Sequence, residues 1–152
     1  MTPDALTIML VEDNPTDVIL IRRAFDQAKL GNPLQVVSDG DAAVDYLAGE
    51  GIYADRRQFP LPILILLDLK LPRRSGIEVV QWLRDQETLK RIPVVMLTSS
   101  QQHRDVNAAY ENGVNSYLVK PVEFDGLLQM LRTVNFYWLM LNEPPRFDRD
   151  GV

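Results

Sequence analysis

The 152-residue chain is predicted to fold as an α/β domain with a doubly wound parallel sheet. Three observations predict this. Short apolar runs alternate five times with segments of helical periodicity. The run at 63–67, ILILL, lacks polar alternation, which marks a strand covered on both faces. The length is that of one domain, able to bury a core without a disulfide or metal staple.

The elements follow in order. Residues 6–11 (LTIMLV) are short, apolar and bounded by acidic residues, so they read as a buried strand. Glu12, Asp13 and Asn14 break it, and Pro15 suits the first position of a helix capped by Asn14. That helix runs to about 29, with Val18, Ile21, Phe25 and Ala28 at helical spacing. Gly31-Asn32-Pro33 ends it, and 34–37 is a second strand. Asp39-Gly40 turns the chain into a helix over about 41–48. Residues 49–62 are mostly polar, with two arginines and two prolines, and are expected to form a surface loop. After the strand at 63–67 and a loop at 71–76, a helix runs over about 77–86. Residues 92–97 (IPVVML) are a fourth strand, and 103–112 a helix stopped by Gly113. Residues 116–119 are a fifth strand, and a long helix starts near Glu123.

Composition narrows the function. The chain is 46% hydrophobic and 24% charged, as in ordinary globular proteins. It has no cysteine, which removes disulfides, thiolate metal sites and a cysteine nucleophile. The one histidine, His103, excludes a two-histidine metal site. A net charge of -5 argues against nucleic-acid or anionic-membrane partners. The N-terminus shows no secretory signal, and the apolar run at 63–67, like that at 136–141, is far short of the roughly twenty residues a span needs. A cytoplasmic location is expected.

The polar residues of interest sit just past strand C-termini: Glu12 and Asp13, Asp68, Thr98 and Lys120. In an open parallel sheet these ends face the crevice where ligands bind. Each alone has a plainer use: capping and solvation for the Glu-Asp pair, a turn for Asp68, a helix cap for Thr98, a surface charge for Lys120. Their convergence on one edge points elsewhere. Three close carboxylates repel one another and invite a hard cation such as Mg²⁺. Asp68 can then attack phosphorus, with Lys120 and Thr98 contacting the phosphoryl oxygens.

This constellation resembles the receiver domain of two-component response regulators, over about residues 5–135. The matching segments are LVEDNPTD (10–17), ILLDLKLP (65–72) with SG (75–76), VVMLTSS (94–100) and YLVKP (117–121). The resemblance implies five strands in the order 2-1-3-4-5 flanked by five helices. It implies Asp68 as phosphoacceptor, Asp13 as a direct Mg²⁺ ligand, Glu12 acting through metal-bound water, and the Lys70 backbone carbonyl completing the shell. Thr98 and Lys120 would bind the phosphoryl group, Lys120–Pro121 would be cis, and Thr98 and Tyr117 would form the switch. Two features depart from the commonest pattern: the long 49–62 loop, and a cation, Lys70, two residues past the nucleophile. By the same resemblance, Lys70 and Ser100 would face the route of attacking water.

Residues 1–140 are assigned to the receiver domain and 141–152 to a tail too short for an output domain. The last helix carries two apolar stripes: Phe124, Leu127, Leu128, Leu131 and Trp138, and Met130, Val134, Tyr137 and Leu141. Two stripes suggest a second buried face, and a homodimer through Phe136, Tyr137 and Trp138 is expected. The extension and loop resemble single-domain regulators paired with bacterial phytochromes, which implies a sensor histidine kinase as partner. His103 begins a helix and is not the phosphodonor. An aspartyl phosphatase of the haloacid-dehalogenase type would need a carboxylate where Lys70 stands, and a flavin binder would not place Glu12-Asp13 in its phosphate loop. An inert receiver-like scaffold is the remaining alternative.

Overall fold

The computed structural model describes residues 6–147. The residues used for the signal-peptide reading (1–5) and the end of the tail (148–152) lie outside that range. Five strands form one parallel sheet in the order 2-1-3-4-5: β1 (Ile8–Val11), β2 (Leu34–Val37), β3 (Leu64–Leu67), β4 (Val94–Thr98) and β5 (Ser116–Val119). The helices are α1 (Pro15–Gln27), α2 (Gly40–Ala48), α3 (Gly76–Arg84), α4 (His103–Glu111) and α5 (Phe124–Asn135), the last continued by a π-helical turn, Phe136–Leu141. Among the described residues, no helix is long and apolar enough to cross a membrane.

The sheet divides two cores, and the period of two along each strand does the dividing. Met9, Val11, Ile65, Leu67, Val94 and Met96 face α2, α3 and α4. Ile8, Leu10, Leu64, Leu66, Val95 and Leu97 face α1 and α5. These side chains are at most 2% exposed, which is why the strands carry no polar alternation.

Local chemistry sets the helix starts. Asn14 Oδ1 accepts from the Thr16 and Asp17 amides, and Pro15 occupies the first turn. Ser75 and Glu78 form a reciprocal capping box at α3. Several ends differ from expectation by one or two residues. β4 starts at Val94, after the amide-less Pro93, and takes in Thr98. α1 stops at Gln27, and Lys29 lies at φ 56°.

The segment 49–62 is more than a surface loop. Tyr46, Tyr53 and Phe59 form an aromatic triangle with centroid separations of 5.0–5.8 Å. Arg56 donates to the Tyr46 and Leu47 carbonyls at 2.7 and 2.8 Å, satisfying the end of α2. Gln58 accepts from Gln35 at 3.3 Å, so the segment also covers part of the β2 edge. Arg56, one of the two arginines that suggested a loop, and the aromatics Tyr53 and Phe59 are its anchors.

The C-terminal stripes do not separate as their spacing suggests. Leu127, Leu128 and Leu131 are buried, and Met130, Val134 and Trp138 pack on that same core. Phe136, Tyr137, Met140 and Leu141 are 51–72% exposed. The π turn, with Asn142 donating to Tyr137 O at 2.7 Å, changes the residues per turn and so the facing of this segment. Beyond it the chain returns to the opposite face. Phe147 packs on the α2–α4 core, and Arg91 donates to the Arg146 carbonyl at 2.9 Å.

Candidate functional site

The register of β1, β3, β4 and β5 brings Glu12, Asp13, Asp68, Thr98 and Lys120 to one sheet edge. Backbone bonds extend the ladder past each strand and hold these residues there. The Glu12 amide donates to Val37 O at 3.1 Å, Asp68 to Val11 O at 3.0 Å, and Lys120 to Thr98 O at 2.8 Å. Gly76 starts α3 against this edge. A Cβ there would lie 2.3 Å from the Asp68 carbonyl oxygen, so only glycine permits the approach.

Glu12, Asp13 and Asp68 offer carboxylate oxygens within 4.8 Å of one another. Asp13 is exposed, Asp68 half-buried and Glu12 buried. Asp68 Oδ1 accepts from the Leu69 amide at 2.7 Å. Its Oδ2 lies 3.5 Å from Lys120 Nζ, which also donates to Glu12 Oε1 and, at 2.9 Å, to Asp17 Oδ2. Thr98 is buried at the base of the site, and its hydroxyl accepts weakly from the Ser100 amide at 3.4 Å. Beyond it opens a cavity of about 450 Å³ lined by Asp68, Lys70, Thr98 and residues 99–102. The Lys70 side chain is exposed at its rim.

Burial pushes the Glu12 carboxyl up to about 7; the bond from Lys120 opposes this, and the nearby Asp68 charge adds to it. Burial alone would lower the Lys120 amine. Its bonds to Glu12 and Asp17 and the charge of Asp68 outweigh that and hold it above the usual lysine range. A buried ammonium among carboxylates stays charged. The all-oxygen carboxylate cluster fits a hard divalent cation such as Mg²⁺ or Mn²⁺.

One expectation needs correction. The Lys120–Pro121 bond is not cis: no cis peptide bond occurs among the described residues. From a trans bond the lysine still reaches Glu12, Asp17 and Asp68, so the reach needs no isomer switch. The Tyr117 hydroxyl has a protein partner. It donates to the Ser100 carbonyl at 3.0 Å, and partial burial raises its pKa. Ser100 Oγ in turn donates to Asp105. Thr98, Ser100 and Tyr117 are thus linked through one backbone segment.

Sequence reasoning gave no role to Asp17. Acidic residues are ordinary in the first turn of a helix, where they favour the dipole, and that use hides its contact with Lys120. Arg84 was likewise passed over. Its guanidinium donates to the Gly113, Lys90 and Ile92 carbonyls at 2.7–2.9 Å and to Asn115 at 3.1 Å, tying α3 to the ends of β4 and β5.

Comparison with known proteins agrees with this geometry. The response regulator receiver domain model matches residues 8–132. The chain is 41% identical over 145 residues to FilR2 of Methanothrix harundinacea, a regulatory protein, covering 93% of this chain and 89% of that one. It is 39% identical over 132 residues to the response regulator Rcp1 of Synechocystis, covering 87% and 88%. The structure of the phosphorylated cyanobacterial phytochrome response regulator RcpA superposes with a TM-score of 0.86 at 38% identity, covering 93% and 99%. A Mn²⁺-bound form of Rcp1 also matches, with a TM-score of 0.83, 38% identity and coverage of 93% and 99%. With the carboxylate cluster, the lysine and the sheet order in place, the chain belongs to the response regulator receiver domain family, related to phytochrome response regulators.

Proposed function

We propose that this protein is a response regulator that accepts a phosphoryl group on Asp68 from a sensor histidine kinase, a bacterial phytochrome. The observation that carries this reading is the clustering of the Glu12, Asp13 and Asp68 carboxylates within 4.8 Å, with Lys120 beside them. The likeness to RcpA and Rcp1 supports the phytochrome link.

An Asp68 carboxylate oxygen attacks phosphorus, and the bond from phosphorus to the donor histidine nitrogen breaks, its electron pair returning to the imidazole. The product is an acyl phosphate. Glu12, Asp13, Asp68 and the Lys70 carbonyl would hold Mg²⁺, which supplies charge neutralisation between carboxylate and phosphoryl oxygens. Lys120 pairs with one phosphoryl oxygen and the Thr98 hydroxyl donates to another. Thr98 moving toward the phosphoryl group disturbs Ser100, and with it the acceptor of the Tyr117 hydroxyl, so a two-state surface change follows. The exposed Phe136 and Tyr137 offer an apolar surface for a homodimer, with Trp138 buttressing it from the core side.

The test is intact-protein mass spectrometry after incubation with acetyl phosphate, with Mg²⁺ or a chelator, beside Asp68→Asn. One added phosphoryl group that needs both Mg²⁺ and Asp68 is expected. If neither an adduct forms nor beryllium fluoride binds, the chain is a phosphorylation-independent scaffold. For the dimer, Tyr137→Ala should weaken self-association in light scattering while phosphorylation persists. A monomer mass at every concentration in the unsubstituted protein would remove the dimer.

A further inference from the structure

Lys120 has more acidic partners than phosphoryl transfer needs. An ammonium has three protons to donate. Here they face Glu12, Asp17 at 2.9 Å and Asp68 at 3.5 Å, so the amine lies nearer Asp17 than the phosphoacceptor. Asp17 also stands outside the carboxylate trio suited to a cation. A cation held by the trio would offset the negative charge of Glu12 and Asp68, weakening their pull on the lysine. It would leave Asp17 untouched.

We infer that Asp17 is a positioning residue, a resting berth that holds the Lys120 ammonium while Asp68 carries no phosphoryl group and that must release it when one arrives. This rests on reading Asp68 as the phosphoacceptor. The berth is built into rigid parts. Asp17 sits in the first turn of α1, its amide held by the Asn14 cap at 3.3 Å. The Lys120 backbone is held by Thr98 at 2.8 Å. The pair borders a cavity of about 230 Å³ between α1 and the start of α5, which gives the lysine side chain room to swing.

The consequence has a sign. Asp17 makes its full contact only in the unphosphorylated state, so it opposes the phosphorylated one. The carboxylate is 32% exposed, so solvent screens the pair and the effect is modest. Removing the charge should favour the phosphorylated conformation by roughly two- to fivefold.

The experiment is a beryllium fluoride titration in excess Mg²⁺, followed by ¹⁹F NMR, on the unsubstituted protein, Asp17→Asn, Asp17→Ser and Asp17→Glu. Both neutral variants should bind roughly two- to fivefold more tightly, and Asp17→Glu should return close to the unsubstituted affinity. Two neutral side chains of different shape guard against a packing or capping effect of either one, and thermal melts report whether α1 is intact. A second readout needs no phosphoryl analogue. The Lys120 ammonium protons, protected by three carboxylates, should exchange faster with water in Asp17→Asn by ¹⁵N-detected NMR. Unchanged or weaker binding in the neutral variants, with the unsubstituted protein binding normally, overturns the berth alone. If the unsubstituted protein binds no beryllium fluoride, the phosphoacceptor reading falls and the berth with it.

Discussion

Glu12 gives a pH signature in the neutral range. Its carboxyl is buried, with 1% of its side chain exposed, and its pKa rises from 4.5 to about 7 in the folded protein. The folded state therefore binds more protons than the unfolded chain between these values. Folding stability falls as pH rises across that window. A rise of this size corresponds to about 3 kcal/mol, since one pKa unit is worth about 1.4 kcal/mol. The perturbation is Glu12→Gln, which keeps the shape and an acceptor for Lys120 but does not titrate. Urea unfolding of both proteins from pH 4.5 to 8 without divalent cations gives a difference curve in which other carboxylates cancel. That curve should fall by about 3 kcal/mol toward high pH. A cation must displace the Glu12 proton, so Mg²⁺ affinity should be about fivefold weaker at pH 6 than at pH 7, and binding at pH 7 should release about half a proton. Calorimetry in buffers of different ionisation heat measures that release. A flat or rising difference curve, or Mg²⁺ affinity independent of pH between 6 and 8, would refute the reasoning.

Three further outcomes are expected. Arg84→Ala should cost about 2–4 kcal/mol in urea unfolding, because it strips donors from the Lys90, Ile92 and Gly113 carbonyls, and Arg84→Lys should recover only part. Asn135 is 1% exposed with neither amide atom hydrogen-bonded, beside an apolar cavity of about 270 Å³, so Asn135→Leu should raise stability by about 1–2 kcal/mol in the same assay. Gly76→Ala should cost about 1–3 kcal/mol and, unlike Arg84→Ala, should also weaken beryllium fluoride binding, because the new Cβ pushes on the Asp68 carbonyl.

Much of this protein is written in short-range pattern. Five apolar runs bounded by turn residues specify the strands, and Asn14-Pro15 and Ser75-Gly76 specify helix starts, because caps and turns depend on neighbours within a few residues. The site's membership was also legible, since strand ends in a parallel sheet must share one edge. The sequence by itself therefore determined the fold class and the residues that meet. It did not determine which of them touch. Asp17 and Lys120 are 103 positions apart, and only sheet closure and the packing of α1 beside α5 turn that separation into 2.9 Å. The same holds for Arg84 reaching Gly113, for the arginine and aromatics that anchor 49–62, and for the last helical turn. There, spacing drew two continuous stripes, and the π turn at the helix end left their residues divided between core and surface. Periodicity records which side of an element is apolar, while the tertiary structure decides what that side and each buried charge meet.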